Sequence, residues 1–195
     1  MRALLCCLFA LSASPLVAAE PKIQRDVPYA GTQNARQTLD IYAPPEAKDQ
    51  PIVFWIHGGG WQYGDKKEVD HKPQVFVDKK YIFVSINYRL FPEVTLKEMT
   101  GDVAQALRWV YDHAAEFGGD PNNIVVTGHS AGAQLAALLC TDERYLKERG
   151  IPLTLIKGCI PVDGDTYDVP MQVAMVRMVK EERRLNSYLK KFGDE

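Results

Sequence analysis

At 195 residues and 46% hydrophobic composition, the chain is long enough for one domain with a substantial core and short for two. Its net charge of −2, with both signs mixed along the chain, provides no basic field to draw in nucleic acid or anionic lipid. The densest charge run, Lys180 to Arg184, also carries both signs and reads as a solvated helix face.

In chain order, the first feature is a leader. Arg2 precedes an apolar stretch from Ala3 to Ala13, then Ser14-Pro15 and the small residues Val17-Ala18-Ala19 before Glu20, the layout of a secretory signal peptide cut after Ala19. The apolar run is short of the ~20 residues that span a bilayer, so the expectation is a secreted or periplasmic protein with no stable membrane insertion after cleavage. Residues 1–19 are thus signal peptide and 20–195 a single domain. Cys6 and Cys7 leave with the leader. Cys140 and Cys159 sit in apolar stretches and are expected as two buried free thiols rather than a disulfide, and their spacing suits no zinc site.

Residues 23–31 and 37–45 read as two short, partly alternating strands joined through Gly31-Thr32-Gln33-Asn34, as an antiparallel sheet edge requires. Near-continuous apolar runs follow at 51–58, 81–88, 123–129 and 155–162. Strands lose their alternation in this way when helices cover both faces of a parallel sheet. Between the second and third runs, Val103, Ala106, Leu107, Val110, Ala114 and Phe117 recur at helical spacing before Gly118-Gly119. The fold class is therefore α/β: a mostly parallel sheet with helices on both faces and an antiparallel N-terminal edge.

Chemistry concentrates after two of these strands. Gly128-His129-Ser130-Ala131-Gly132 must turn sharply from strand to helix, and the flanking glycines remove side chains that such a turn would make collide. The turn lifts the Ser130 hydroxyl out at the carboxyl end of the sheet, with the N-terminus of the apolar stretch 133–140 behind it. A tight turn with a structural serine is the alternative. After the first buried strand comes His57-Gly58-Gly59-Gly60-Trp61, where successive glycines let backbone N–H groups approach a developing oxyanion. A phosphate cradle would need Lys-Ser/Thr after the glycines, where this chain has Trp61-Gln62.

"HGGGW" (57–61), "NYRLFPE" (87–93) and "FGGDPNNIVVTGHSAGAQLAAL" (117–138), with their spacing, resemble an α/β-hydrolase of the esterase/lipase group, close to the hormone-sensitive-lipase-like and feruloyl-esterase-like carboxylesterases. The resemblance covers roughly residues 38 to 165. It implies Ser130 as nucleophile, the N–H groups of Gly59, Gly60 and Ala131 as oxyanion hole with Gly58 a lesser contributor, a small-molecule ester substrate, and neither organic cofactor nor metal. Phe91 stands where such proteins often have Ala.

The resemblance also implies a triad ordered Ser, Asp/Glu, His, and no histidine follows Ser130. His57 belongs to the oxyanion loop, His113 to a crossover helix, and His129 adjoins the serine with its side chain directed away; His71 alone lies in a free polar loop. No base is assigned. Asp163, in the acidic cluster 163–168, is a weak candidate for the acid, and no acid is assigned either; the cluster itself reads as a polar loop rather than a calcium site. Two readings stay open: a secreted serine esterase of which this is an N-terminal portion, lacking the last strands and the triad histidine, or a catalytically inactive binding or interaction protein on the same fold. The expected remainder is a mobile cap loop at 62–75, Trp61 and Phe91 as pocket wall or core, a polar helical segment from Met171 to Phe192, and a fourth buried strand left with an unpaired apolar edge.

Overall fold

The computed structural model describes residues 20–164 and 166–192, so the leader expected at 1–19 lies outside the described residues. Six strands form one sheet: β1 (Lys22–Pro28), β2 (Thr38–Ala43), β3 (Gln50–Ile56), β4 (Ile82–Ile86), β5 (Gly119–His129) and β6 (Ile156–Val162). Their spatial order is β1-β2-β4-β3-β5-β6. β1 runs antiparallel to β2 and β2 to β4, while β4, β3, β5 and β6 are mutually parallel. This is the expected α/β arrangement with its antiparallel N-terminal edge.

The apolar runs lack alternation because both faces are covered. Ile52, Phe54 and Ile56 of β3 enter the main core with Val103, Leu107 and Val110 of α2 (Leu96–His113) and Leu135 and Leu139 of α3 (Ala131–Thr141). Val53 and Trp55 face the opposite way, into a smaller cluster with Phe83 and with Val77 of α1 (Lys72–Asp78). Each such aliphatic side chain contributes about 1.5–3 kcal/mol on burial.

Helix α2 begins at Leu96, seven residues before Val103, the first of the periodic apolar residues, and its sequence says why. Thr95 and Glu98 form a reciprocal cap, the Glu98 carboxylate accepting the Thr95 N–H at 2.8 Å and Thr95 Oγ1 accepting the Glu98 N–H at 3.4 Å. After β5 and α3 come the single turn α4 (Arg144–Lys147), β6, and the helices α5 (Val169–Met178) and α6 (Glu182–Phe192). The helical character expected for 171–192 is thus present, split in two. β6 is the outer strand, and Ile160 and Val162 on it are 56% and 42% exposed, the apolar edge that the sequence led us to expect.

The two cysteines are free thiols, half-buried against the main core rather than fully buried. Among the described residues no helix is long and apolar enough to cross a membrane.

Candidate functional site

The chain passes from β3 to β4 on one side of β3 and later reaches β5 on the other, so the strand order reverses at the carboxyl ends of β3 and β5. Open α/β sheets place their ligands at such a point. The two glycine-flanked motifs meet there, since Ile56 at the end of β3 pairs with Gly128 near the end of β5.

Ser130 is the single residue between β5 and α3. Its φ of 54° and ψ of −117° lie in a region that L-residues rarely adopt, at a cost of about 1–3 kcal/mol. Surrounding bonds hold it there: Ser130 N–H donates to Val162 O of β6 at 3.0 Å, and Ser130 O accepts the Ala133 N–H at 2.9 Å. The first turn of α3 sits against the end of β3 so closely that a Cβ at Gly132 would meet Ile56 O and lie 2.5 Å from His57 O. A Cβ at Gly58 would stand 3.2 Å from Ser130 Cβ, so the loop after β3 lies directly beside the serine.

Gly59 adopts φ +112° and Gly60 φ +59°. Gly59 O accepts the Gln62 and Tyr63 N–H groups at 3.1 and 3.0 Å, which folds the loop into a tight turn. Among the described residues, the N–H groups of Gly59, Gly60 and Ala131 donate to no backbone acceptor outside regular helix and strand bonding. Ala131 is the first residue of α3, where the helix dipole adds its positive end. An open cleft of about 480 Å³ lies here, lined by Trp55, Gly58, Gly59, Glu68, Lys72 and His129 among others. The Nε1 of buried Trp55 has no hydrogen-bond partner among the described residues.

Trp61 and Phe91 do not line this cleft. Trp61 belongs to the core, its Nε1 donating to Gln134 Oε1 of α3 at 3.3 Å and its ring meeting Phe192 of α6 edge-on at 4.9 Å. Phe91 is half-buried against the same core.

The segment expected as a mobile cap loop, 62–75, borders the cleft but is tied down, and α1 begins within it. Arg36 Nη1 donates to Gly64 O at 3.0 Å. Lys66, only 1% exposed, donates from Nζ to Asp40 Oδ1 at 2.5 Å and Asp26 Oδ1 at 2.6 Å, while its backbone is held by Asn87 Oδ1 and Ser85 Oγ. These partners hold the Lys66 ammonium above its ordinary pKa against the opposing effect of burial, which is the largest single influence. Sequence reasoning missed this anchor; its signal was Asp40, a lone carboxylate in the otherwise apolar "TLDIYA". Among the described residues, Lys66→Met leaves buried Asp40 with only Arg25 and the Asp26 N–H as hydrogen-bond partners. The expected loss is about 3 kcal/mol in urea unfolding, and Lys66→Met with Asp40→Leu recovers most of it.

Four histidines were weighed as bases, and none of them, among the described residues, hydrogen-bonds Ser130. His57 is buried, stacked on Tyr88 at 4.5 Å, and its Nδ1 donates to Gly58 O at 2.7 Å. His113 stacks on Trp109 and bonds that residue's carbonyl. His71 is exposed at the start of α1. His129 is exposed with Nε2 3.7 Å from Asp163, itself a surface carboxylate.

Burial pushes the His57 imidazole down from 6.5 to about 4. The fold favours the neutral ring, so as pH falls the unfolded chain takes up a proton before the native one does. His57's contribution is complete above pH 6.5, and about 3 kcal/mol is lost as pH drops from 6.5 to 4. Urea unfolding of wild type and His57→Phe at pH 7, 5 and 4 checks this; the variant should lose less stability over the same interval.

A family model described as BD-FAE matches residues 39–159. The chain belongs to the BD-FAE family. With that family it lies in the esterase/lipase group of α/β-hydrolases, as its relatives attest. It is 38% identical over 132 residues to the Mycobacterium tuberculosis protein "Carboxylesterase NlhH", covering 66% of this chain and 41% of that one. It is 34% identical over 183 residues to "Probable carboxylic ester hydrolase LipM" of the same organism, covering 84% and 42%. Among solved structures it superposes on inhibited esterase B of Lactobacillus rhamnosis with a TM-score of 0.73 at 25% identity, over 90% of this chain and 58% of that one. A carbohydrate esterase from gut microbiota gives a TM-score of 0.57 at 28% identity over 62% and 44%. The chain thus spans well under half the length of these curated relatives.

Proposed function

We propose that this BD-FAE chain carries the nucleophile and oxyanion hole of a secreted or periplasmic carboxylesterase that cleaves small-molecule esters through an acyl-enzyme on Ser130. The observation that carries the reading is the strained serine at the β5–α3 turn beside the glycine loop after β3, where, among the described residues, the Gly59 and Gly60 N–H groups donate to no backbone acceptor. In the proposed reaction Ser130 Oγ attacks the ester carbonyl. The carbonyl oxygen gains negative charge and is met by the N–H groups of Gly59, Gly60 and Ala131. Collapse of the tetrahedral intermediate expels the alcohol, and water then releases the acid. The reading requires a general base that the described residues do not supply.

The charged wall of Glu68, Asp70 and Lys72 fits an alcohol portion bearing hydroxyl groups. The likeness to a carbohydrate esterase supports the same choice. Intact mass, read before and after treatment with an activated alkylphosphonate ester, tests the proposal on protein recovered from an exporting host. A chain beginning at Glu20 and carrying one phosphonyl group on the Ser130 peptide is the expected result. A chain that binds esters without ever acquiring the adduct would support the non-catalytic binding protein instead.

A further inference from the structure

Cys159 lies on β6 under α3, and Cys140 lies in the last turn of that helix. The Cys159 Sγ stands 3.5 Å from Ala136 O. Ala136 is one helical turn before Cys140, and side chains on a helix lean back toward its N-terminus, so the Cys140 thiol is directed over the turn that Cys159 touches. The interaction between the two thiols is the largest influence on each, holding the Cys159 thiol low and the Cys140 thiol high. Both are half-buried, so a small reagent has a path to them.

We propose that Cys140 and Cys159 are a disulfide site, closed by exchange with a small-molecule disulfide such as oxidised glutathione. The Cys159 thiolate attacks one sulfur of the reagent, forming a mixed disulfide and expelling one glutathione thiolate. The Cys140 thiolate then attacks Cys159 Sγ, forming the Cys140–Cys159 bond and expelling the second. The two thiol protons end on the two departing glutathiones; the protein loses two electrons and the reagent gains them. Functionally, the bond fastens the outer strand to the helix that follows Ser130. β6 is also the strand whose Val162 O holds the Ser130 N–H, so the cross-link secures the turn that carries the nucleophile.

The test uses the full chain with excess oxidised glutathione at pH 8, alkylation of remaining thiols, and peptide mapping without reduction. The expected product is one pair of peptides joining Cys140 to Cys159, about 2 Da lighter than their reduced sum and separated by dithiothreitol. Closing a loop of roughly 20 residues should also raise Tm by roughly 5 °C in the oxidised sample. Cys140→Ser should show neither the pair nor the shift. Alkylation of both thiols, glutathione adducts without the internal bond, or links only to Cys6 or Cys7 would overturn the proposal. The wild-type map decides this even if the serine variant fails to fold.

Discussion

Ser130→Ala is expected to abolish covalent capture of an activated phosphonate and to leave only the hydrolysis that an oxyanion hole and binding alone support, with the fold unchanged. The variant keeps Cβ and therefore the same backbone demand at φ 54°, and among the described residues the Oγ is not part of the hydrogen bonding that holds the turn. Stability should stay within about 0.5 kcal/mol of wild type. The chemical effect is of another order. In a serine hydrolase with its base in place, loss of the nucleophile costs about 10⁶-fold in kcat. Here none of the described histidines hydrogen-bonds Ser130, so the described residues supply only the about 10³–10⁴-fold advantage over water that an oxyanion hole and binding can give. Phosphonate capture is the sharper readout for that reason, because it needs a single attack and no turnover. One adduct per wild-type chain and none on Ser130→Ala would fix the nucleophile, whereas equal labelling of both would move it to another residue.

The sheet was legible because strands buried on both faces write themselves as apolar runs: 81–88 and 155–162 contain β4 and β6, and 51–58 and 123–129 overlap β3 and β5, which begin earlier at Gln50 and Gly119. The meeting of the two glycine-flanked motifs at the candidate site was legible, since close backbone approach leaves few residue types to choose from. What the sequence concealed was contact between distant segments. Nothing in "GDKKE" separates Lys66, 1% exposed and paired with Asp40 across the chain, from the exposed Lys67 beside it. Trp61 could wall the pocket, although an aromatic residue beside a strand is more often core, and its bond to Gln134 and its contact with Phe192 decide for the core. The earlier start of α2 was present in Thr95 and Glu98, but a capping box announces a helix only once the apolar period behind it has been extended back to meet it. Cys140 and Cys159, 19 positions apart on a helix and a strand, share no local pattern at all.

Gly132→Ala is expected to be severely damaging, costing about 5 kcal/mol or preventing folding outright. The added methyl would meet Ile56 O and His57 O, both backbone atoms at the end of the central strand β3, so no flexible side chain can swing aside. Relief would require α3 to lift off β3, yet its start is fixed from the other side by the Ser130 N–H bond to Val162 O and the Ala133 bond to Ser130 O. Alanine is the better helix former by about 1 kcal/mol, so helix propensity alone predicts stabilisation, and the sign of the effect separates the two arguments. Gly101, within α2, is the internal comparison: a Cβ there meets only the Arg149 guanidinium at 3.7 Å, and Gly101→Ala should be neutral or stabilising. Urea unfolding of the pair checks both. Equal, small effects would mean that α3 does not press on β3 as described, and the strained geometry of Ser130 would lose the contact that enforces it.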